Sequence, residues 1–217
     1  MENRQIERQE LSVTAATAAE PAVFVVDNDA GMRKSLRMLI ESVHLRVETF
    51  ASGPEFLERY TPDRPGCLVL DIRMPGMSGL ELQERLRERE VNLPVIIVTG
   101  HGDVPTAVRA MKCGAVDFIE KPFSDEILLD LIQTAIARDQ DNLRRRAEQR
   151  RIAARRDTLT RREIEVMDLV VTGLSSKEIA DRLGVSFKTV EAHRAKIMKK
   201  MEARSIPQLI HMHLGVR

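Results

Sequence analysis

Polar residues with complementary chemistry follow several short apolar runs of this sequence, at positions where the strands of a sheet would end. They are two carboxylates, an amide, a hydroxyl and an ammonium: Asp27, Asn28, Asp71, Thr99 and Lys121. Gathering carboxylates and an ammonium in one place is unfavourable unless the site handles both a cation and an anion. Mg²⁺ takes hard oxygen ligands, while Lys and Thr side chains donate to phosphoryl oxygens. Because an aspartate is an established nucleophile toward phosphate, the set predicts a phosphoryl-transfer site.

The order of the elements explains how these residues would meet. Between residues 21 and 138, five β-branched runs alternate with five stretches of helical spacing. The predicted strands are 23–26, 47–50, 67–70, 95–99 and 117–119, and the predicted helices are 31–43, 54–60, 78–90, 105–113 and 124–138. This alternation predicts an α/β fold with a doubly wound, flavodoxin-like sheet of five parallel strands. In such a sheet, residues just past the carboxyl ends of the strands share one crevice, where ligands bind.

Composition narrows the class of protein. Of the 217 residues, 43% are hydrophobic and 31% are charged, which excludes collagen-like, disordered and disulfide-scaffold chains. No apolar run approaches the roughly 18 residues that a membrane span needs, and the N-terminus has acids where a signal peptide has basic and apolar segments. Two cysteines occur without metal-type spacing, so both are expected to be reduced core residues. We therefore expect a cytoplasmic protein that does not bind a membrane.

Charge divides the chain into segments. The net charge is only +1, but residues 1–20, 21–138 and 139–217 have net charges of −2, −4 and +7. We predict a disordered tail over 1–20, the α/β domain over 21–138, a charged helical linker over 139–157 and a helical domain over 158–217. Leu143 and Ala147 leave a weak coiled-coil seam as an alternative for the linker. The basic third segment indicates a polyanionic partner such as nucleic acid.

The last 60 residues have the pattern of a helix-turn-helix. Two helix starts fit capping boxes, formed by Thr160 with Glu163 and by Ser175 with Glu178. The first two helices are expected to end at Gly173 and Gly184, and the third to run from Ser186 to about Met201. Two short helices joined by a tight glycine-containing turn to a third are typical of helix-turn-helix domains.

The third helix of this domain has two unlike faces. At about 100° per residue, one face presents Val190, Ile197 and Met201, and the opposite face presents Lys188, Ala192, Ala195 and Lys199. The apolar face is predicted to pack on the preceding helices. His193 and Arg194 lie nearer to this face, so they are expected to be partly buried or to contact a phosphate. The opposite face is slim enough to enter a major groove and basic enough to contact phosphates.

The motifs of the first domain resemble the receiver domain of bacterial two-component response regulators. They are VVDND at 25–29, LDIRMPGMSG at 70–79, VTGHGD at 98–103 and DFIEKPF at 117–123. The resemblance implies that Asp71 is the phosphoacceptor, that Thr99 and Lys121 bind phosphoryl oxygens and that Phe118 switches rotamer. It implies Mg²⁺ as the cofactor, held by Asp27, Asn28, Asp71 and the backbone carbonyl of Arg73. Asn28 departs from the family pattern, which usually has a carboxylate there, and this predicts weaker Mg²⁺ binding.

The motifs of the second domain resemble the LuxR-type DNA-binding domain. They are LTRREIEV at 159–166, GLSSKEIA at 173–180 and VSFKTVEAHRAK at 185–196. With the receiver, the chain from about residue 21 resembles the FixJ branch of the FixJ/NarL response regulators. The resemblance implies base contacts from Glu191, Ala192 and Ala195, and phosphate contacts from Ser186, Lys188, Thr189, Lys196 and Lys199.

These features together predict a phosphorylation-controlled transcription regulator. A sensor histidine kinase would phosphorylate Asp71, the face over about 105–119 would form a homodimer, and the dimer would bind double-stranded promoter DNA, with RNA polymerase as a further candidate partner. Two alternatives remain: a regulator whose receiver acts without phosphorylation, and an aspartyl-phosphate phosphatase. A nucleotide enzyme is disfavoured because Pro105 stands where a dinucleotide fingerprint needs its third glycine. His101 is predicted to be a loop residue without a chemical role.

Overall fold

The structure, a computed structural model, describes residues 20–62, 64–100 and 103–215. The chain forms two compact units that meet in sequence between residues 143 and 144. Two of the predictions above, the disordered tail and the role of His101, concern residues 1–19 and 101, which lie outside the described residues. Among the helices that the structure describes, none is both long enough and apolar enough to cross a lipid bilayer.

The first unit is built on a parallel sheet with the strand order β2-β1-β3-β4-β5. The strands are β1 (Ala22–Val26), β2 (Arg46–Phe50), β3 (Gly66–Leu70), β4 (Val95–Thr99) and β5 (Asp117–Glu120). The helices are α1 (Ala30–Ser42), α2 (Gly53–Arg59), α3 (Gly79–Glu88), α4 (Val104–Lys112) and α5 (Asp125–Asp157). The predicted α/β fold is thus confirmed, and the bounds of the five strands and of the first four helices are close to those predicted.

Both faces of this sheet are covered by apolar side chains. Successive residues of a strand point to opposite faces, so Phe24 and Val26 enter one core cluster while Val23 and Val25 enter the other. The same division holds along β3 and β4. A strand buried on both sides needs an almost continuous apolar sequence, which explains the short β-branched runs.

The fifth helix differs from the prediction. It runs without a break from Asp125 to Asp157, so the predicted helix end at Arg138 is wrong. No glycine or proline interrupts this segment, and most of its residues are good helix formers. Asp139, placed in the solvated linker by sequence, is 4% exposed and accepts a hydrogen bond of 3.0 Å from the Gly66 amide. The first residue of the predicted linker is therefore buried in the first unit.

The second unit contains four further helices around a third apolar cluster. They are α6 (Arg161–Val171), α7 (Ser176–Leu183), α8 (Phe187–Met201) and α9 (Ile206–Gly215). Both predicted capping boxes are present at the starts of α6 and α7. Gly184 ends α7 with a φ of 64°, a left-handed conformation that favours glycine. The last helix, α9, was not among the predicted elements.

The two cysteines lie in different surroundings. Cys67 of β3 is fully buried, as predicted, and burial raises the pKa of its thiol strongly. Cys113, which follows α4, is only partly buried, so its assignment to the core is wrong. Both are free thiols.

Candidate functional site

The register of the sheet brings two aspartates together at the carboxyl edge of the strands. Val26 pairs with Leu70, so Asp27 and Asp71, the next residues of each strand, are neighbours. The Asp71 amide donates a hydrogen bond of 2.9 Å to the Val26 carbonyl. The side chains are withdrawn from water, since the two residues are 3% and 8% exposed.

A lysine joins these two carboxylates. Lys121 Nζ lies 2.9 Å from Asp27 Oδ2 and 3.1 Å from Asp71 Oδ1. Burial acts to lower the pKa of Lys121, but hydrogen bonds and charge from Asp27 and Asp71 outweigh it, so the pKa is raised from its ordinary value. The ammonium therefore stays protonated at neutral pH and offsets the repulsion between the two acids.

The end of β4 completes this crevice. Thr99, its last residue, is fully buried, and its carbonyl accepts a hydrogen bond of 2.8 Å from the Lys121 amide. Four of the residues predicted at strand ends, Asp27, Asp71, Thr99 and Lys121, are therefore brought together. Phe118 is half-buried one strand along and packs against the apolar cluster that contains Phe24.

The two polar residues that follow Asp27 in the loop after β1, Asn28 and Asp29, have different surroundings. Asp29 caps α1, because its Oδ1 accepts hydrogen bonds from the amides of Gly31 at 2.7 Å and Met32 at 3.2 Å. The Met32 and Gly31 amides also lower the pKa of Asp29. The Oδ1 oxygen of Asp29 is thus used to cap the helix start. Asn28 itself is exposed.

The loop after β3 passes very close to Asp71. A Cβ atom on Gly79 would lie 2.2 Å from the Asp71 carbonyl oxygen, far inside van der Waals contact. The Gly79 amide donates a hydrogen bond of 2.9 Å to the Ile72 carbonyl, which holds the loop in this position. Glycine is therefore required for the loop to fold back onto the site. Arg73, whose carbonyl is a predicted Mg²⁺ ligand, lies in this loop with an exposed side chain.

Sequence reasoning missed one residue of the crevice. Arg33, in the first turn of α1, donates a hydrogen bond of 2.6 Å from Nη1 to the Asp27 carbonyl. This bond holds the backbone that carries the Asp27 carboxylate. The only sequence signal was a basic residue six positions after Asp27, and a spacing of that kind does not separate a positioning residue from a solvated one.

The oxygen donors of the crevice fit a magnesium ion. They are the buried carboxylates of Asp27 and Asp71, and carboxylate oxygens are hard ligands. Among residues 20–62, 64–100 and 103–215, no group of three or more His, Cys, Asp and Glu side chains forms a metal cluster. Mg²⁺ does not need such a cage, because it usually keeps several waters and binds through one or two carboxylates plus a phosphate.

The second unit presents the predicted DNA-reading helix. Val190, Ile197 and Met201 of α8 are at most 1% exposed, which confirms the predicted packed face. The eight residues predicted to contact DNA are all exposed: Ser186, Lys188, Thr189, Glu191, Ala192, Ala195, Lys196 and Lys199. His193 and Arg194 are partly buried, as predicted. The structure therefore leaves the predicted contact surface accessible.

The first turn of α8 is ordered by two of these residues. Ser186 is the N-cap, and its Oγ accepts a hydrogen bond of 3.1 Å from the Thr189 amide. The two hydroxyls of Ser186 and Thr189 lie 2.8 Å apart. A phosphate approaching this turn would meet backbone amides and the positive end of the helix dipole.

An ion pair secures the other end of α8. Lys200 Nζ lies 2.7 Å from Glu163 Oε2 and donates to the Thr158 carbonyl at 3.0 Å. Glu163 is 3% exposed and also accepts a hydrogen bond from the Thr160 amide in the capping box of α6. The Lys200 ammonium and these helix-start bonds lower the pKa of Glu163 to about 2.

Comparison with known proteins identifies both domains. Residues 23–133 match the family described as response regulator receiver domain, and residues 157–213 match bacterial regulatory proteins of the luxR family. Nodulation protein W of Bradyrhizobium diazoefficiens is 49% identical over 88% of this chain and 84% of its own length. The transcriptional regulatory protein FixJ of Rhizobium meliloti is 45% identical over 89% of this chain and 95% of its own length.

Solved structures give the same result. The response regulator StyR superimposes with a TM-score of 0.83 at 44% identity, covering 90% of this chain and 99% of the other. Full-length FixJ from B. japonicum has a TM-score of 0.55 at 41% identity, covering 90% and 96%.

The chain belongs to the response regulators that join a receiver domain to a luxR-type DNA-binding domain. It is accordingly a DNA-binding transcription regulator of a two-component system, and its homologues are controlled by phosphorylation. Regulators of this family are not enzymes, receiver domains generally bind Mg²⁺, and a sensor kinase and DNA are the implied partners.

Proposed function

We propose that Asp71 is the phosphoacceptor of this regulator and that a sensor histidine kinase is the donor. The observation that carries the proposal is the Lys121 bridge, which places a protonated ammonium 3.1 Å from an oxygen of a buried aspartate. A carboxylate in this setting is a nucleophile, and the ammonium is positioned to receive a phosphoryl oxygen. Thr99 at the end of β4 supplies a hydroxyl as the second phosphoryl contact.

We further propose that Mg²⁺ is held by Asp27, Asn28, Asp71 and the Arg73 carbonyl. The ion would neutralise negative charge on the phosphoryl group during transfer. Arg33 keeps the Asp27 backbone in place, and Lys121 keeps the two carboxylates from repelling each other. A cytoplasmic location follows from the implied partners.

The receiver's output is proposed to be a homodimer formed through α4 and β5. Three apolar side chains of α4, Val104, Val108 and Met111, are 77%, 45% and 48% exposed. Exposed apolar residues at i, i+4 and i+7 form one stripe on a helix, a pattern typical of an interface. Thr99 is the last residue of β4 and Phe118 lies in β5, and their rearrangement on phosphorylation would change this face.

The α8 surface is proposed to read DNA in the major groove. Glu191, Ala192 and Ala195 would meet base edges, while Ser186, Lys188, Thr189, Lys196 and Lys199 would meet phosphates. A dimer would present two such helices to paired half-sites of a promoter, where RNA polymerase is a further candidate partner.

Glu191→Ala is expected to change sequence preference. A glutamate in the groove accepts a hydrogen bond from cytosine N4, so its loss should reduce discrimination at that position by about 1–3 kcal/mol. The measurement is affinity for a preferred duplex and for duplexes with single base-pair changes. Asp181→Ala on α7 removes the same charge from another exposed position and is the control. Equal effects of Glu191→Ala on preferred and random DNA would contradict base reading.

Asn28→Asp is expected to strengthen Mg²⁺ binding and speed phosphorylation. The substitution restores a negative charge beside the cation, and affinity for such ions rises with ligand charge. Because Asp29 Oδ1 is used to cap α1, we expect Asp29 to compensate only weakly for that missing charge. The measurement is the rate of labelling by acetyl phosphate over a Mg²⁺ titration, from which the half-saturating concentration follows.

The control for this experiment is Asn92→Asp, the same chemical change in an exposed loop that precedes β4 at the opposite edge of the sheet. It should leave both quantities unchanged. If Asn28→Asp also leaves them unchanged, Asn28 is not at the metal site or its charge has no influence there. If the natural chain does not label at all and Asn28→Asp does, the receiver acts without phosphorylation in its natural form.

The phosphatase alternative is tested in the same assay. Labelling that stops at one phosphoryl group per chain supports a switch. Continuous release of inorganic phosphate from a small phosphoester, at a rate that Asp71→Asn abolishes, would support an enzyme instead.

A further inference from the structure

Ser176 is a buried hydroxyl whose role is not explained by its own helix. It is the first residue of α7 and is 6% exposed. The capping of α7 is performed by Ser175, whose Oγ accepts from the Glu178 amide while its own amide donates to the Glu178 carboxylate. The Ser176 hydroxyl is therefore not needed to cap the helix and is available to neighbouring elements.

Both partners of this hydroxyl are on α8. Ser176 Oγ donates a hydrogen bond to Glu191 Oε1, and Arg194 Nη1 donates a bond of 2.7 Å back to Ser176 Oγ. Glu191 and Arg194 are one helical turn apart, with 3.9 Å between Arg194 Nε and Glu191 Oε1. The three side chains form a closed triad in which Ser176 contacts both charges.

The triad fixes a side chain that is otherwise mobile. The Glu191 side chain is 50% exposed, whereas that of Arg194 is 25% exposed. A half-exposed glutamate on a helix surface normally samples several rotamers, and ordering it has an entropic cost. A hydrogen bond to a charged group is stronger than one between neutral groups, so this bond favours one rotamer of Glu191. One carboxylate oxygen is thus anchored while the side chain still reaches the surface.

The position of this carboxylate matters for DNA reading. Near phosphates a carboxylate is repelled, so it is tolerated only where it accepts a hydrogen bond from a base or where a cation offsets its charge. Arg194 supplies the cation and Ser176 sets the distance between the two. Without the hydroxyl, Arg194 and Glu191 are close enough to pair directly, which would draw the carboxylate away from its present position.

We infer that Ser176 is a positioning residue for sequence recognition, acting on DNA only through Glu191. The inference rests on the proposed base contact of Glu191. It places a determinant of sequence choice on α7, outside the helix that enters the groove.

The test measures base discrimination with the full-length chain. A preferred site is selected from a pool of random duplexes, and affinities are then measured for that site and for duplexes with single base-pair changes. Ser176→Ala is expected to reduce discrimination about tenfold at the position read by Glu191, which corresponds to about 1.4 kcal/mol. Ser176→Thr keeps the hydroxyl and should restore it. Thermal unfolding is recorded for each variant to confirm that it is folded.

A double substitution separates positioning from general stability. If Ser176 acts through Glu191, adding Ser176→Ala to Glu191→Ala should cause no further loss of discrimination. Thr172→Ala is the matched control, because it removes a hydroxyl of the same domain that bonds the Leu169 carbonyl of α6 and no residue of α8. It should leave base discrimination unchanged.

The outcomes distinguish a failure of the role inferred for Ser176 from a failure of the base contact proposed for Glu191. If Glu191→Ala leaves the sequence preference unchanged, the base contact of Glu191 is wrong and the inference fails with it. If Glu191→Ala changes the preference and Ser176→Ala does not, the base contact stands and the role of Ser176 is overturned. Additive losses in the double variant would likewise overturn it.

Discussion

Asp71→Asn is expected to abolish labelling by acetyl phosphate and any phosphorylation-dependent gain in DNA affinity. The amide has the size of the carboxylate but is not a nucleophile, so no aspartyl-phosphate can form. Lys121 retains its bond of 2.9 Å to Asp27, and the strands around the site are unaffected. We therefore expect a folded protein that no longer responds to a phosphoryl donor.

Two further variants test whether the loss of labelling is specific to Asp71. Asp130→Asn changes an exposed aspartate of α5 and should label like the natural chain. Asp27→Asn keeps the acceptor but removes the charge of a proposed Mg²⁺ ligand, so labelling should be slower and require more Mg²⁺ without disappearing. Stoichiometric labelling of Asp71→Asn would show that another residue is the acceptor, and the assignment would then be abandoned.

Alanine substitutions of two adjacent lysines of α8 are expected to affect different properties, DNA binding in one case and domain stability in the other. Lys199 is exposed and is proposed to contact a phosphate. Lys199→Ala should weaken binding to all DNA sequences and reduce the slope of log affinity against log salt by about 0.9, because one fewer counterion is released. Its effect on the free energy of unfolding should stay within about 0.5 kcal/mol.

Lys200→Ala should instead destabilise the domain. It leaves the buried Glu163 carboxylate without its ammonium, and breaking a buried pair typically costs about 3–5 kcal/mol. Since the Lys200 side chain is 34% exposed, we expect a smaller loss of about 2 kcal/mol in the free energy of unfolding. The salt slope of DNA binding should not change while the variant is folded. Denaturant unfolding and affinities at several salt concentrations measure both quantities.

Acid unfolding provides a second measurement of this pair. The pKa of Glu163 is about 2 in the folded chain and near its ordinary 4.5 when unfolded. The unfolded state therefore binds the proton more readily, so the stability from Glu163 is complete above pH 4.5 and is lost as the pH falls toward 2. Lys200→Ala should reduce this loss. Equal acid sensitivity of Lys200→Ala and the natural chain would contradict the assignment of the shift to Lys200.

The crevice could be predicted from sequence because it depends on short-range patterns. Five apolar runs located the strands, and the general rule for parallel sheets then brought Asp27, Asp71 and Lys121 together. The packed face of α8 was equally readable, since Val190 and Ile197 repeat at helical spacing. Local periodicity was sufficient for α8, and local periodicity with one topological rule was sufficient for the crevice.

Contacts between distant segments could not be predicted in this way. The bond from Gly66 to Asp139 joins residues 73 positions apart, and an aspartate in a charged segment gave no sign of burial. The Ser176 triad joins the start of α7 to the middle of α8, although the sequence there indicates only a capped helix. Such pairs are set by how the elements pack, and a single sequence carries little information about that.

The Lys121 bridge has a consequence for the speed of the chemistry. An ammonium in water holds a hydration shell that has to be shed before it can contact an incoming anion. Here Asp27 and Asp71 have already taken the place of those waters, so dehydration of the lysine accompanies folding and not catalysis. Arrival of a phosphoryl group then exchanges one anionic oxygen for another around the same cation, with little reorganisation energy. The resting crevice therefore already holds a dehydrated ammonium that an incoming phosphoryl oxygen can contact directly.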